Sequence, residues 1–289
     1  MEKIKIFIQL TRLNKPIGFM LLFWPCTWGL TLGYYYNNEI EIYIKHIVLF
    51  FLGSVLMRSA GCIFNDIVDK DLDKKVQRTK LRPIAAGKIS VVNSFIYIIF
   101  LCLIALVILL QFNWLTIVLG MGSMILAFTY PFMKRITYWP QLFLGLTFNW
   151  GIIMGWTSIT NDISIEPIIL YISAIFWTLG YDTIYGLQDI YDDEIIGVKS
   201  TSIKFKNNVK VFVGTCYSLC VFCILILSFL MEIDKYLLIL STFFILSLIY
   251  QMKIFKINNP ESCLFSFKFN NLTGLLIFLF FLSFNFNLQ

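Results

Sequence analysis

Nine long apolar runs constrain this chain of 289 residues more than any other feature of its sequence. A helix that crosses the hydrocarbon layer of a bilayer needs about 20 largely apolar residues. The runs cover residues 17–36, 46–65, 91–111, 114–132, 140–159, 165–187, 209–231, 236–254 and 272–288. They are continuously apolar rather than alternating, which excludes a transmembrane β-barrel. Since 58% of the residues are hydrophobic and only 14% are charged, we predict an all-α polytopic membrane protein.

The basic residues predict how these helices are oriented. With the N-terminus placed in the cytoplasm, the 23 Lys and Arg residues all fall in cytoplasmic segments except Lys45, Arg58 and Lys235. This asymmetry explains the net charge of +6, because the basic residues would face anionic lipid headgroups. Membrane lipid is therefore an expected partner. Nucleic acid is not expected, because the soluble segments contain no basic patch interleaved with aromatic residues.

We expect residues 1–289 to form one transmembrane domain with three soluble parts. Residues 1–16 interleave Lys and Arg with Ile4, Phe7 and Ile8, a pattern typical of a helix at the membrane interface. Residues 66–90 and 188–208 are predicted to be cytoplasmic loops. Because the sequence shows neither a signal-peptide cleavage site nor a targeting presequence, we expect a multi-pass protein of a bacterial inner membrane.

An acidic segment follows the second apolar run. Residues 65–73, the first acidic motif, contain Asn65, Asp66, Asp69, Asp71 and Asp73. Spacings of three and four would place three of these carboxylates on one helical face. Oxygen ligands without His or Cys favour Mg²⁺, which typically binds one or two carboxylates together with substrate phosphates. Neighbouring lysines offer an alternative, a solvated loop in which they neutralise the acids.

A second acidic segment follows the sixth run and is predicted to lie on the same side of the membrane. Residues 189–193, the second acidic motif, place Asp189 and Asp193 one helical turn apart. Asp182 lies on nearly the same helical face as Asp189 and Asp193. It falls inside the apolar run, where an ionisable group is a functional candidate by default. Its alternative role is a buried ion pair with Arg58. Together the two motifs could hold two or more Mg²⁺ ions bridged by a diphosphate.

Basic residues near the same surface could complete such a diphosphate site. Arg135 is the strongest candidate, because a guanidinium group binds phosphate oxygens in a bidentate manner. The other candidates are Arg78, Arg82, Lys134 and Lys199.

Five ordered stretches make the sequence similar to the UbiA superfamily of intramembrane prenyltransferases, and within it to the branch that uses 4-hydroxybenzoate. They are Arg12–Gly18, Met57–Asp73, Arg78–Pro83, Tyr130–Arg135 and Tyr181–Thr201, with a weaker echo at residues 263–271. This resemblance implies a nine-helix fold. It also implies transfer of a polyprenyl group from polyprenyl diphosphate to the ring carbon ortho to the phenol of 4-hydroxybenzoate, in ubiquinone biosynthesis.

The resemblance also implies roles for individual residues. The family pattern NDxxDxxxD falls on residues 65–73 and DxxxD on residues 189–193, which assigns Mg²⁺ binding to Asn65, Asp66, Asp69, Asp73, Asp189 and Asp193. Diphosphate and acceptor binding is expected from Arg135, Lys134, Arg82, Tyr130, Lys199 and Asp182. Arg58 is expected to orient the carboxylate of the acceptor.

Two alternatives remain at this point. An ion-coupled transporter could use Asp182 and Arg58 as an intramembrane relay, although the sequence lacks the repeated Gly or Pro interruptions typical of transporters. A sister prenyltransferase could carry the same acidic motifs and prenylate a dihydroxynaphthoate or haem B. The motifs alone do not distinguish these acceptors.

Overall fold

The computed structural model describes residues 2–286, which form helices and no strands. Within this range nine helical segments are long and apolar enough to cross a membrane, which confirms the predicted fold class and number of spans. The helices of the first half are α1 Glu2–Thr11, α2 Ile17–Asn37, α3 Ile40–Val68, α4 Lys70–Asp73, α5 Val91–Leu109, α6 Trp114–Ile136, α7 Pro140–Asn149 and α8 Gly151–Thr160. Those of the second half are α9 Ile165–Gly186, α10 Ile190–Ile196, α11 Thr201–Lys204, α12 Val209–Leu230, α13 Lys235–Leu238, α14 Ser241–Ile254 and α15 Pro260–Ser283.

The predicted boundaries were wrong at two helices. Helix α3 begins at Ile40 rather than at residue 46. Helix α15 begins at Pro260 rather than at residue 272, because Asn259 caps it by accepting a hydrogen bond from the backbone N–H of Ser262. Proline is favourable in the first turn of a helix, because a backbone N–H group at that position would have no partner within the helix. Residues 287 and 288 of the predicted last run lie outside the described range.

Helices α2 and α8 cross at backbone contact in the middle of the bundle. A Cβ atom added to Gly29 would lie 2.0 Å from the carbonyl oxygen of Ile152, and one added to Gly155 would lie 2.2 Å from that of Cys26. Small residues allow such close approach between membrane helices. Gly151 lies against α2 in the same way, since an added Cβ atom would be 2.4 Å from Sγ of Cys26.

A buried polar network joins α9, α12, α14 and α15. The indole N–H of Trp177 donates to Oδ1 of Asn270 over 2.8 Å. The hydroxyl of Tyr217 donates to Oε1 of Gln251 over 2.8 Å, and Nε2 of Gln251 donates to the hydroxyl of Thr273. Polar side chains inside a membrane bundle find partners on other helices, which holds those helices in register. This network fixes the position of α9, which carries the second acidic motif at its end.

The N-terminal helix α1 packs on the outside of α3. Leu10 is fully buried in a small apolar cluster with Ile63 of α3, whereas Ile4 is largely exposed. Arg12 follows α1 with φ of 54°, in the left-handed region, so the chain turns sharply towards the end of α3. This turn brings a basic side chain of the N-terminal segment next to the first acidic motif.

The helix crossing generates a stability prediction. We expect Gly155→Ala to lower the free energy of unfolding by about 1–3 kcal/mol, because the new methyl group must displace the backbone of α2. Thermal unfolding of the purified protein in detergent measures the effect. Gly122→Ala is the matched control, because its new Cβ atom would contact nothing within 4 Å. Equal melting temperatures for Gly155→Ala and the unmodified protein would contradict the tight crossing.

Candidate active site

The first acidic motif lies where α3 ends. The helix is interrupted at Asp69, whose φ of −94° and ψ of 5° are not helical, and the short helix α4 follows. The spacing predicted that three of the carboxylates share one helical face, and the structure interrupts the α-helix within this segment. The backbone N–H groups of Asp69 and Asp73 nevertheless donate to the carbonyl oxygens four residues earlier, at 2.9 and 2.8 Å. Asp66, Asp69 and Asp73 are therefore all buried on one side of the chain.

Asp71 points away from these three residues. Its side chain is 87% exposed and accepts a hydrogen bond from Lys74 over 2.9 Å. That hydrogen bond lowers the pKa of Asp71. The alternative of a lysine-neutralised, solvated loop therefore holds for Asp71 but not for the buried carboxylates.

Two arginines bind the buried carboxylates at the ends of the first acidic motif. Arg82 donates from Nη1 to Asp66 over 3.1 Å and to Asp73 over 2.8 Å. Arg12 donates from Nη2 to Asp66 over 2.5 Å. Arg12 was missed as a site residue, because its 54-residue separation from Asp66 leaves no local spacing signal. The only sequence signal for Arg12 was its position in Arg12–Gly18, one of the five stretches that carry the family resemblance.

Helix α6 ends against the centre of the same motif. Lys134 pairs with Asp69, while Arg135 donates to the carbonyl oxygen of Val68 over 2.6 Å and lies 3.5 Å from Oδ1 of Asp69. Burial raises the pKa of Asp69, and the Lys134 ammonium group acts in the opposite direction. Oδ1 of Asp69 is buried and accepts no hydrogen bond from the described residues. Apart from the longer contact with Arg135, this oxygen is available to a further ligand.

The second acidic motif faces the loop that follows the first. Helix α9 passes through a 3-10 turn at Leu187–Asp189 into α10. Arg78 of the loop donates from Nε to Asp189 over 2.8 Å and from Nη1 to the hydroxyl of Tyr185 over 3.2 Å. The backbone N–H of Gln77 reaches Asp192 over 3.4 Å. The structure thus brings the two motifs together at one end of the bundle, as the predicted topology required.

Lys199 lies beside this cluster but contacts none of its carboxylates among the residues described. Its ammonium group donates to the carbonyl oxygen of Ile136 over 3.1 Å and lies 5.7 Å from the ring centre of Tyr138. Its backbone N–H donates to the carbonyl oxygen of Lys134. In this conformation Lys199 supports the end of α6 rather than the carboxylates.

Arg58 and Asp182 lie deeper in the bundle. The guanidinium carbon of Arg58 is 5.2 Å from the ring centre of Phe148, and its Nε atom is buried without a partner among residues 2–286. Neither residue belongs to any ion pair found in that range, so the alternative of an Arg58–Asp182 salt bridge is wrong for this conformation. Tyr130 of α6 is half-buried.

The acidic cluster is nearly balanced in charge. Its five carboxylates are Asp66, Asp69, Asp73, Asp189 and Asp193, and its five cations are Arg12, Arg78, Arg82, Lys134 and Arg135. No three acidic side chains in the described range converge on one point as a ready metal site. Magnesium ions and a diphosphate carry opposite charges, so both could enter by exchanging partners with these ion pairs. The all-oxygen donors, and the Asp69 oxygen that accepts no hydrogen bond, fit Mg²⁺.

Comparison with known proteins places the chain among intramembrane transferases. The sequence profile of the UbiA prenyltransferase family matches residues 22–283. Three curated proteins named "4-hydroxybenzoate polyprenyltransferase, mitochondrial" are similar. They are those of Caenorhabditis elegans (47% identity over 75% of this chain and 62% of that protein), Homo sapiens (50% over 71% and 55%) and Bos taurus (44% over 94% and 73%). The alignments thus span between about half and three quarters of these relatives.

Two solved structures share the fold. The apo structure of a UbiA homologue from Aeropyrum pernix K1 has a TM-score of 0.75 at 21% identity and covers 89% of this chain and 94% of that one. A UbiA homologue from Archaeoglobus fulgidus, bound to DMAPP and Mg²⁺, has a TM-score of 0.72 at 18% identity and covers 98% and 99%. At these identities the likeness establishes the architecture.

The contact between the two acidic motifs generates a prediction about local dynamics. We expect Arg78→Gln to accelerate amide exchange in residues 187–196 by about tenfold, because hydrogen bonds to charged groups stabilise by about 1.5–3 kcal/mol. Hydrogen exchange followed by mass spectrometry in detergent measures the change. Lys74→Gln, which breaks only the exposed pair with Asp71, should leave this exchange unaltered. Unchanged exchange in Arg78→Gln would show that the loop does not hold the second motif.

Proposed function

Because this chain belongs to the UbiA prenyltransferase family, we propose that it transfers a polyprenyl group from polyprenyl diphosphate to the ring of 4-hydroxybenzoate and releases diphosphate, as a step in ubiquinone biosynthesis. One observation carries the chemistry: two acidic motifs and five cations meet in a single, nearly neutral cluster at one end of an apolar bundle. The names of the curated relatives support the choice of acceptor. Family membership also favours a transferase over the ion-coupled transporter.

The residues of the cluster divide into two groups by charge. The carboxylates of Asp66, Asp69, Asp73, Asp189 and Asp193 would hold Mg²⁺, with the Asn65 amide assisting. The cations released from them, with Arg82, Lys134 and Arg135 foremost, would bind the diphosphate oxygens, and Arg12 and Arg78 are placed to join them. When bound, Mg²⁺ neutralises the charge that develops on the leaving diphosphate. Use of Mg²⁺ by this chain is supported by the donor chemistry and by the solved structures of a UbiA homologue from Archaeoglobus fulgidus bound to DMAPP or GPP and Mg²⁺.

The lipid-facing surface suits a long isoprenoid donor. Helix α5 exposes Ile99, Phe100, Leu103 and Val107 along one side, which in a membrane would contact acyl chains. A polyprenyl chain has the same chemistry, so it would lie in the bilayer beside the bundle.

The identity of the membrane is part of the proposal. The chain is a multi-pass membrane protein. The distribution of Lys and Arg supports a cytoplasmic N-terminus and a cluster on the cytoplasmic side of a bacterial inner membrane. The curated relatives are named as mitochondrial, so a mitochondrial membrane with the equivalent orientation is the other location that we propose.

The two-motif site is tested by Asp69→Ala and Asp189→Ala, made separately. We expect each substitution to lower Mg²⁺-dependent prenyl transfer in membranes by a factor on the order of 100 or more, because each removes a charged group at the reacting centre. Chelation of Mg²⁺ with EDTA should abolish activity in the unmodified protein. Asp71→Ala is the matched control, since that carboxylate is exposed and should be dispensable. Activity retained in either Asp69→Ala or Asp189→Ala would refute a shared site.

The acceptor is tested by product analysis. Membranes containing the protein are supplied with polyprenyl diphosphate and, in separate reactions, with 4-hydroxybenzoate, a dihydroxynaphthoate or haem B. We expect mass spectrometry to detect a prenylated product from 4-hydroxybenzoate only. Turnover of one of the other acceptors without turnover of 4-hydroxybenzoate would identify the chain as a sister prenyltransferase.

A further inference from the structure

A cleft lies between the N-terminal helix and the start of α5, outside the acidic cluster. This α1–α5 cleft has a volume of about 390 Å³. Small-molecule sites in proteins typically have volumes of about 300–1,000 Å³, so the cleft is large enough for a ligand. Lys3 and Ile6 of α1 form one wall, and residues between 87 and 97 form the other. None of the lining residues has a role in the proposed prenyl transfer, so the cleft is a separate feature of the molecule.

A sharp turn and an aromatic contact hold the two walls in place. Gly87 has φ of 70°, in the left-handed region that glycine adopts without strain. The backbone N–H of Lys88 then donates to the carbonyl oxygen of Pro83 over 2.9 Å, which closes the turn before α5. Phe7 of α1 packs edge-on against Tyr97 of α5, with ring centres 5.3 Å apart. The cleft is therefore built by defined contacts between two elements that are distant in sequence.

The polar part of the α1–α5 cleft is positively charged. Lys3 and Lys88 line it from opposite walls, and among the described residues no Asp or Glu lines it. Neither lysine takes part in an ion pair found within residues 2–286. The hydroxyl oxygen of Ser90 accepts a hydrogen bond from the backbone N–H of Asn93 over 3.1 Å, so its proton is available to a ligand. This set of groups suits an anion.

The other part of the cleft is apolar and opens towards lipid. Val91–Leu109 is one of the membrane-spanning segments, so Lys88 lies just before the span and Ile96 lies within it. Ile96 is 58% exposed, and spacings of three and four residues place it on the exposed apolar side of α5 described above. The cleft thus crosses the boundary between the headgroup layer and the hydrocarbon layer. A ligand that fills it must be both anionic and apolar.

We propose that the α1–α5 cleft binds the headgroup of one anionic phospholipid, whose phosphate pairs with Lys3 and Lys88 and whose acyl chains lie along α5. Basic pockets beside transmembrane helices bind anionic headgroups in this way. A soluble anion would leave the apolar part unfilled, and a zwitterionic lipid would bring a second positive charge near the lysines. The bound lipid would hold α1 against α5. Because Arg12 follows α1, the lipid would also help to keep Arg12 beside Asp66.

The double variant Lys3→Gln/Lys88→Gln tests the headgroup contacts. It removes both charges from the cleft but keeps polar side chains. Native mass spectrometry of the protein in detergent, titrated with phosphatidylglycerol or phosphatidylcholine, measures the binding of the first lipid. We expect the unmodified protein to bind phosphatidylglycerol about tenfold more tightly than phosphatidylcholine, and the double variant to lose about tenfold in affinity for phosphatidylglycerol.

Lys5→Gln/Lys80→Gln is the matched control. It makes the same change of charge on α1 and on the loop before α5, but neither residue lines the α1–α5 cleft. All four lysines are exposed, so the two double variants differ only in position. The control should bind phosphatidylglycerol as tightly as the unmodified protein. Equal losses in the two double variants would show attraction to the general surface charge, and equal affinity of the unmodified protein for the two lipids would show no headgroup preference. Either result would overturn the site.

Hydrogen exchange followed by mass spectrometry locates the bound lipid. Phosphatidylglycerol should slow amide exchange in residues 2–11 of the unmodified protein and raise its melting temperature, because a ligand stabilises the state that it binds. The control should respond in the same way and the Lys3→Gln/Lys88→Gln variant should not. Without lipid this variant should melt at the temperature of the unmodified protein. If it is less stable, the single variants Lys3→Gln and Lys88→Gln decide by the same titration, each with a loss of about threefold. Protection confined to other segments would contradict the proposal.

Competition with inorganic phosphate distinguishes a lipid site from a site for a soluble anion. We expect millimolar phosphate to leave phosphatidylglycerol bound, because phosphate cannot fill the apolar part of the cleft. Displacement of the lipid would assign the cleft to a soluble anion instead and would overturn the proposal. None of these measurements involves prenyl transfer, so their outcome is independent of the proposed function.

Discussion

The structure depends on the mutual neutralisation of acids and bases at one end of an apolar bundle. Buried carboxylates at the membrane boundary would be strongly unfavourable alone, because burial penalises their charge and each repels the others. Cations from the N-terminal segment, the loop after α4 and the end of α6 compensate for them. The acids thereby hold three otherwise separate parts of the chain together. The same balance lets a metal and an anionic substrate enter by exchange of partners, without leaving net charge in a low-dielectric site.

The rest of the bundle keeps this end in place. The crossing of α2 and α8 at Gly29 and Gly155 fixes the centre through backbone contact, where no side chain can rearrange. The hydrogen bond from Trp177 to Asn270 joins α9 to α15, and the hydrogen bonds of Gln251 join α15 to α12 and α14. Close packing and internal hydrogen bonding replace the hydrophobic effect, which has little force between helices in lipid. Such a scaffold can position catalytic groups on helix ends without large soluble domains.

The sequence predicted the parts of this structure that depend on local patterns. Span number, fold class and the placement of two acidic motifs on one side follow from apolar length and charge asymmetry. The cationic partners of the buried carboxylates could not be predicted from the sequence, because they depend on packing between distant segments. Arg12 contacts Asp66 only when α1 is packed on α3. Spacing predicted that Asp66, Asp69 and Asp73 share one face, but it did not predict that the helix is interrupted at Asp69 or that Lys134 pairs with this carboxylate. The start of α15 was missed because polar residues interrupt the apolar residues of its first three turns.

The order of these ion pairs along the chain has a consequence for biogenesis. A ribosome makes Arg12 before the first acidic motif and Arg82 shortly after it, so Asp66 and Asp73 have their partners within the first third of synthesis. Lys134, the partner of Asp69, is synthesised with the fourth span. Arg78 is synthesised well before its partner Asp189. Each new carboxylate thus meets a cation made earlier or soon afterwards. The nascent protein can be inserted span by span without carrying uncompensated acids at the membrane surface for long.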